Sequence, residues 1–160
     1  MTSNVRSDVM AQQLIVAVFN SVSDAEDAAQ AIRKLEAADP GFKVESGVMA
    51  EKDSAGKVSL LGTKTHPFWG VVIGAVTGSL IGLLGGPSGA MLGFTIGAST
   101  GLAGVALADI LDHEFVHAIG NAFAPGTVAI FLEASEASTA QVDTLVASYH
   151  GTIHRKPLAQ

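Results

Sequence analysis

Two apolar strands, each followed by a capped helix and a further strand, predict an α+β fold. The expected form is a ferredoxin-like sheet interrupted by a glycine-zipper helical hairpin. The strands are Val16-Ala-Val-Phe19 and Val128-Ala-Ile-Phe131. Two strand–helix–strand units on one antiparallel sheet make the ferredoxin-like arrangement. The interruption is read from the middle of the chain, where no residue from Pro67 to Ala108 is charged. Glycines recur there at Gly70, Gly74, Gly78, Gly82 and Gly86, and again at Gly89, Gly93, Gly97 and Gly101. A period of four keeps them near one face of a helix. Each costs about 1 kcal/mol relative to alanine in a helix interior, so the bare face must be used. Close backbone approach between two helices is the use it points to.

The elements follow in order. Residues 1–11 are polar with one basic residue, Arg6. They lack the apolar core of a signal peptide and read as a flexible leader. Gln13–Phe19 is a continuous apolar run, as in a strand buried on both faces. Ser23-Asp-Ala-Glu26 spells a capping box, and Ala25, Ala28, Ala29, Ile32 and Leu35 then repeat at the helical period. Asp39-Pro40-Gly41 ends that helix. Val44–Glu51 and Lys57–Lys64 flank the turn Asp53-Ser-Ala-Gly56 and form a hairpin.

The second half mirrors the first. Asp112–Phe123 is an amphipathic helix with Phe115, Ile119 and Phe123 on one side. Pro125-Gly126 is a turn, and Thr127–Glu133 is an apolar strand. Ser138-Thr-Ala-Gln141 spells a second capping box, opening a helix that buries Val142, Leu145, Val146 and Tyr149. Gly151 stops it, and Thr152–Arg155 is a last strand. Residues 12–66 and 112–158 therefore make one discontinuous domain, with 67–111 as the hairpin.

Phe68–Gly85 and Gly89–Leu111 would be helices about 27 and 35 Å long, against a hydrocarbon core of about 30 Å. Gly86-Pro-Ser-Gly89 is an uncharged connector, and Trp69 stands where an interfacial aromatic would. A hairpin returns the chain to its starting side. All 9 Lys and Arg residues then lie on that side, which places the soluble part in the cytoplasm by the positive-inside rule. The second helix is only mildly apolar, with Thr95, Ser99 and Thr100. It could instead be buried in a soluble homo-oligomer, whose hairpins line a shared interior as a shell, ring or apolar-ligand carrier.

Several functions are disfavoured. A net charge of −6 argues against nucleic acid, which needs a basic face. With no cysteine there is neither a disulfide framework nor a thiolate metal site. No Lys or Arg between Lys64 and Arg155 could meet a phosphate on a glycine-rich loop, and there is no G-x-S-x-G elbow. His113-Glu-Phe-Val-His117 does spell H-E-x-x-H, the zincin pattern in which two histidines bind zinc and the glutamate is the base. Gly120 extends it, but Phe123 stands where the third ligand would. His113 and His117 also fall opposite Phe115 and Ile119 on the helical wheel. They read as a solvated face, with zinc hydrolysis through His113, Glu114 and His117 the lesser alternative. No cofactor is implied.

Taken together, the opening strand and helix, Phe68-Trp69-Gly70 before a Gly/Ala-rich insert, Asp109 closing it, and Asp112 to Phe131 resemble a bacterial family. That family is catalogued only as a domain of unknown function and labelled a predicted membrane protein. The resemblance implies a bacterial inner-membrane protein and supplies no activity or site residues. The expectation is a non-enzymatic, membrane-associated protein. Its hairpin anchors and self-assembles, touching lipid and copies of itself. Its cytoplasmic sheet meets a protein partner that the sequence does not identify.

Overall fold

The computed structural model describes residues 11–61, 75–85 and 111–158. Among them are five strands and four helices. In chain order these are β1 (Ala11–Phe19), α1 (Val22–Ala38), β2 (Phe42–Lys52), β3 (Val58–Leu61), α2 (Ala75–Leu84), α3 (His113–Ala122), β4 (Val128–Glu136), α4 (Ala140–Ser148) and β5 (Thr152–Pro157). The strands form one sheet in the order β3-β2-β4-β1-β5, and every pairing is antiparallel. The units β1–α1–β2 and β4–α4–β5 are interleaved, so β1 and β4 lie side by side in the centre. The fold is α+β.

Each face of the sheet carries its own core. On the first face Ile15, Ala17, Phe19, Ile130, Leu132 and Ala134 pack under Ala28, Ala29 and Ile32 of α1 and Val142 and Val146 of α4. On the second face Leu14, Val16, Val18, Ala129 and Phe131 pack under Val76, Leu80 and Ile81 of α2 and Ile119 of α3. The apolar runs of β1 and β4 are continuous because both faces are covered.

In β2 the alternation is imperfect for a specific reason. The register with β4 shifts between Val44 and Ser46, as at a β-bulge, where an extra residue changes which side chains share a face. Val44 therefore joins the first core, whereas Val48 and Ala50 join the second.

Three local expectations are corrected. Helix α1 is capped by Ser21, not Ser23. Ser21 is the last extended residue, and its Oγ accepts from the Asp24 amide at 3.1 Å. The capping box expected at Ser138 does not close. Thr139 stands at the N-cap with helical dihedrals and makes no side-chain cap, while Ser138 accepts from the Ala140 amide. Strand β4 runs on to Glu136, so Glu133 does not end it but lies inside a central strand. The strand expected to reach Lys64 is described as far as Leu61; residues 62–64 lie outside the described residues.

At the end of α4 the left-handed residue is His150 (φ 65°), not Gly151. Gly151 serves close approach. A Cβ there would lie 2.5 Å from Phe19 Cε2 and 2.8 Å from Val146 Cγ1. Gly120, in α3, has room, its nearest neighbour being Leu84 Cδ2 at 3.8 Å. The two glycines should respond oppositely to alanine. Gly151→Ala overpacks the first core and should cost about 1–3 kcal/mol, whereas Gly120→Ala should gain up to about 1 kcal/mol of helix propensity. Urea unfolding of the two variants checks this, and equal shifts would refute it.

Candidate functional site

The most informative part of the uncharged segment is α2, which the structure seats on the sheet. It has ten residues, about 15 Å at 1.5 Å per residue. Among the described residues no helix is long and apolar enough to cross a membrane. Val76, Leu80 and Ile81 are buried against β1, β2 and β4. Each such side chain contributes about 1.5–3 kcal/mol when fully buried. Leu83 points away and is 59 % exposed.

A helix this short is marginal in water alone, and its ends leave amides and carbonyls without partners. The sheet supplies both. Glu133 Oε2 accepts from the Thr77 amide at 3.2 Å and from the Thr77 hydroxyl at 2.8 Å. At the other end Lys52 Nζ donates to the Leu84 carbonyl at 3.3 Å. An acid meets the helix N-terminus and a base the C-terminus, the signs that the helix dipole favours. Lys52 also lies 4.9 Å over the Phe123 ring, and its burial pushes its pKa below the ordinary lysine value. Ser46, paired with Glu133 across β2 and β4, is buried, and its Oγ has no hydrogen-bond partner among the described residues.

Of the expected packing glycines, Gly78 is buried and Gly82 half-buried within α2. Gly70, Gly74, Gly86, Gly89, Gly93, Gly97 and Gly101 lie outside the described residues, as do Trp69 and residues 89–110 of the second arm. Among the described residues the paired hairpin is not shown. The α2 stretch of the expected Phe68–Gly85 arm packs on the sheet and on α3, where Leu84 approaches Gly120.

The H-E-x-x-H residues occupy the outer face of α3. His113, Glu114 and His117 are exposed, and the two imidazoles stack with centroids 5.8 Å apart. Phe123, at the expected third-ligand position, is buried edge-on against Phe131. Among the described residues no three histidine or acidic side chains come together as a metal site.

Other charged groups fasten elements. Arg155 forks onto Glu136 at 2.9 and 3.1 Å and reaches Asp143 at 2.6 Å, tying β5 to β4 and α4. Lys156 pairs with Asp112, the N-cap of α3, which also accepts from the Phe115 amide. These two bonds, the lysine's first, hold the Asp112 carboxyl below its usual range. Burial lowers the His154 pKa, and its Nε2 has no hydrogen-bond partner among the described residues.

The family model described as "protein of unknown function (DUF1269)" matches residues 71–160. The chain belongs to the DUF1269 family. No curated protein and no solved structure matches it. The match bears out the resemblance read from the sequence. It takes in the uncharged segment from Val71 onward, with α2, α3, β4, α4 and β5, while the opening strand and helix and Phe68-Trp69-Gly70 precede it. Thr77 and Glu133 therefore both lie within the DUF1269 stretch, whereas Lys52 lies before it.

Sequence reasoning missed Glu133, Thr77 and Lys52. One signal was present, since Glu133 is the first acid in the run Val-Ala-Ile-Phe-Leu-Glu-Ala and a charge in a buried strand requires a partner. Glu133→Ala leaves the Thr77 amide and hydroxyl unpaired under α2 and should cost about 2–3 kcal/mol. Glu133→Gln keeps an acceptor and should cost less, and so should Lys52→Met, which removes a charge that burial disfavours. Chemical denaturation of the three variants measures the order. If Glu133→Ala is as stable as wild type, the clamp is not a stabilising contact.

Proposed function

We propose that this DUF1269 protein is a non-enzymatic, membrane-associated protein. Its glycine-rich segment dips into one leaflet and self-associates, while a ferredoxin-like domain of β2-β4-β1-β5 with α1 and α4 stays at the cytoplasmic surface of the bacterial inner membrane. The observation that carries this reading is that α2 and α3, which flank residues 86–110, both pack on the second face of the sheet. Leu84 and Leu111, at the two ends of that stretch, therefore both lie against the second face. The stretch itself has only 25 residues, 86–110, whereas two full helical crossings need about 20 residues each. From Gly86 to Ala108 it carries no charge, which suits a hydrocarbon environment. Glu133, Lys52, Arg155 and Lys156 are each engaged in fastening helices or strands, which suits a structural role for these charged groups.

A second reading is a soluble homo-oligomer in which the glycine-rich segments pack against one another. The exposed Leu83 on α2 favours it, since an apolar side chain beside the uncharged segment suits a contact between copies.

The chain has no cysteine, so Ser88→Cys places a single thiol in the connector. The full-length protein should pellet with membranes without detergent. The thiol should resist a membrane-impermeant maleimide added outside intact spheroplasts, and should react once the membrane is dissolved. Labelling from outside would establish two full crossings and overturn the one-leaflet reading. Recovery of the protein as an oligomer in a high-speed supernatant would replace it with the soluble assembly.

A further inference from the structure

We propose that His113 and His117 form a two-nitrogen site on the outer face of α3 for a borderline divalent metal ion of the zinc, nickel and copper(II) group. The site is distinct from the zincin centre that the same motif spells. The two residues are one helical turn apart and both are exposed, so neither imidazole is committed to the core. Their rings already stack, with centroids 5.8 Å apart and planes 21° from parallel. A metal lies in the plane of each imidazole it binds, so the two near-parallel rings must turn about their side-chain torsions to converge on one ion. With one nitrogen of each at about 2.1 Å the ring centres then stand about 5 Å apart, close to the spacing already present.

Imidazole ligands select this group of ions over magnesium and calcium, which demand sets of oxygens. The backbone works against any cation in the first turn of a helix. Here Glu114, also in the first turn of α3, supplies compensating charge. Glu114 does not join the histidines as a third ligand among the described residues, so the remaining coordination positions are left to water or a small anion. Such an ion is exchangeable. It bridges the first two turns of α3 directly after Asp112, where the chain rejoins the sheet from the uncharged segment, and so stiffens that junction. The proposal does not depend on whether the glycine-rich segment enters a membrane.

The test is calorimetric titration of copper(II) chloride into the full-length, tag-free protein in detergent, with magnesium chloride as the control. One copper ion per chain should bind in the micromolar range, with magnesium giving no signal. His113→Ala and His117→Ala should each weaken copper binding at least tenfold, whereas Glu114→Gln, which removes compensating charge but no ligand, should weaken it less than either. Copper should raise the thermal midpoint of wild type, because a ligand of the folded state stabilises it. It should not raise that of the double histidine variant, whose circular dichroism should match wild type. Undiminished copper binding in a folded double variant, or no copper binding by wild type, would overturn the assignment.

Discussion

The seating of α2 depends on a contact made from the sheet. A glutamate on the central strand β4 holds the helix N-terminus through Thr77, and Lys52 at the end of β2 meets its C-terminal carbonyl. The ten-residue helix is apolar almost all round and carries two glycines. Its own propensity gives it little reason to persist in water. Burial of one face supplies the attraction, while the charged groups satisfy amides and a carbonyl that the helix cannot satisfy for itself. Burial and polar satisfaction together turn a stretch that reads as lipid-facing into the cover of a sheet face.

With α2 in place, other features follow. The second face can be as apolar as the first, so β1 and β4 carry continuous hydrophobic runs. Helix α3 gains a neighbour, which is why Ile119 and Phe123 are buried while His113 and His117 remain outside. Both flanks of residues 86–110 are held to one side of the sheet.

Much of the fold was legible because it is written in local pattern. The apolar runs of β1 and β4, the helical period from Ala25 to Leu35, the Asp53–Gly56 turn and the order of elements each depend on near neighbours in the chain. What was not legible depends on distant ones. Thr77 and Glu133 are 56 residues apart, and Lys52 and Leu84 are 32 apart, so no spacing rule joins them. The capping boxes at Ser23 and Ser138 matched by residue type. Yet a cap also requires an extended backbone at its first residue, and that condition is met at Ser21 and not at Thr139. Gly151 was read as a helix stop, whereas its lack of a side chain answers to Phe19, on a strand at the far end of the chain. The histidine pair was visible at once. Its placement on a solvated face followed from the wheel, because that question is local.

Hydrogen exchange of α2 in the full-length protein, followed amide by amide, tests the central claim most directly. If the helix is seated and clamped as described, the amides from Thr77 to Leu84 exchange slowly, as those of a docked helix, and Glu133→Ala speeds them selectively while the amides of α1 and α4 keep their protection. If the amides of α2 exchange at the rate of an unprotected chain while the strands remain protected, the helix is not held on the sheet. The account of the second face, and of the segment that leaves from it, would then be contradicted.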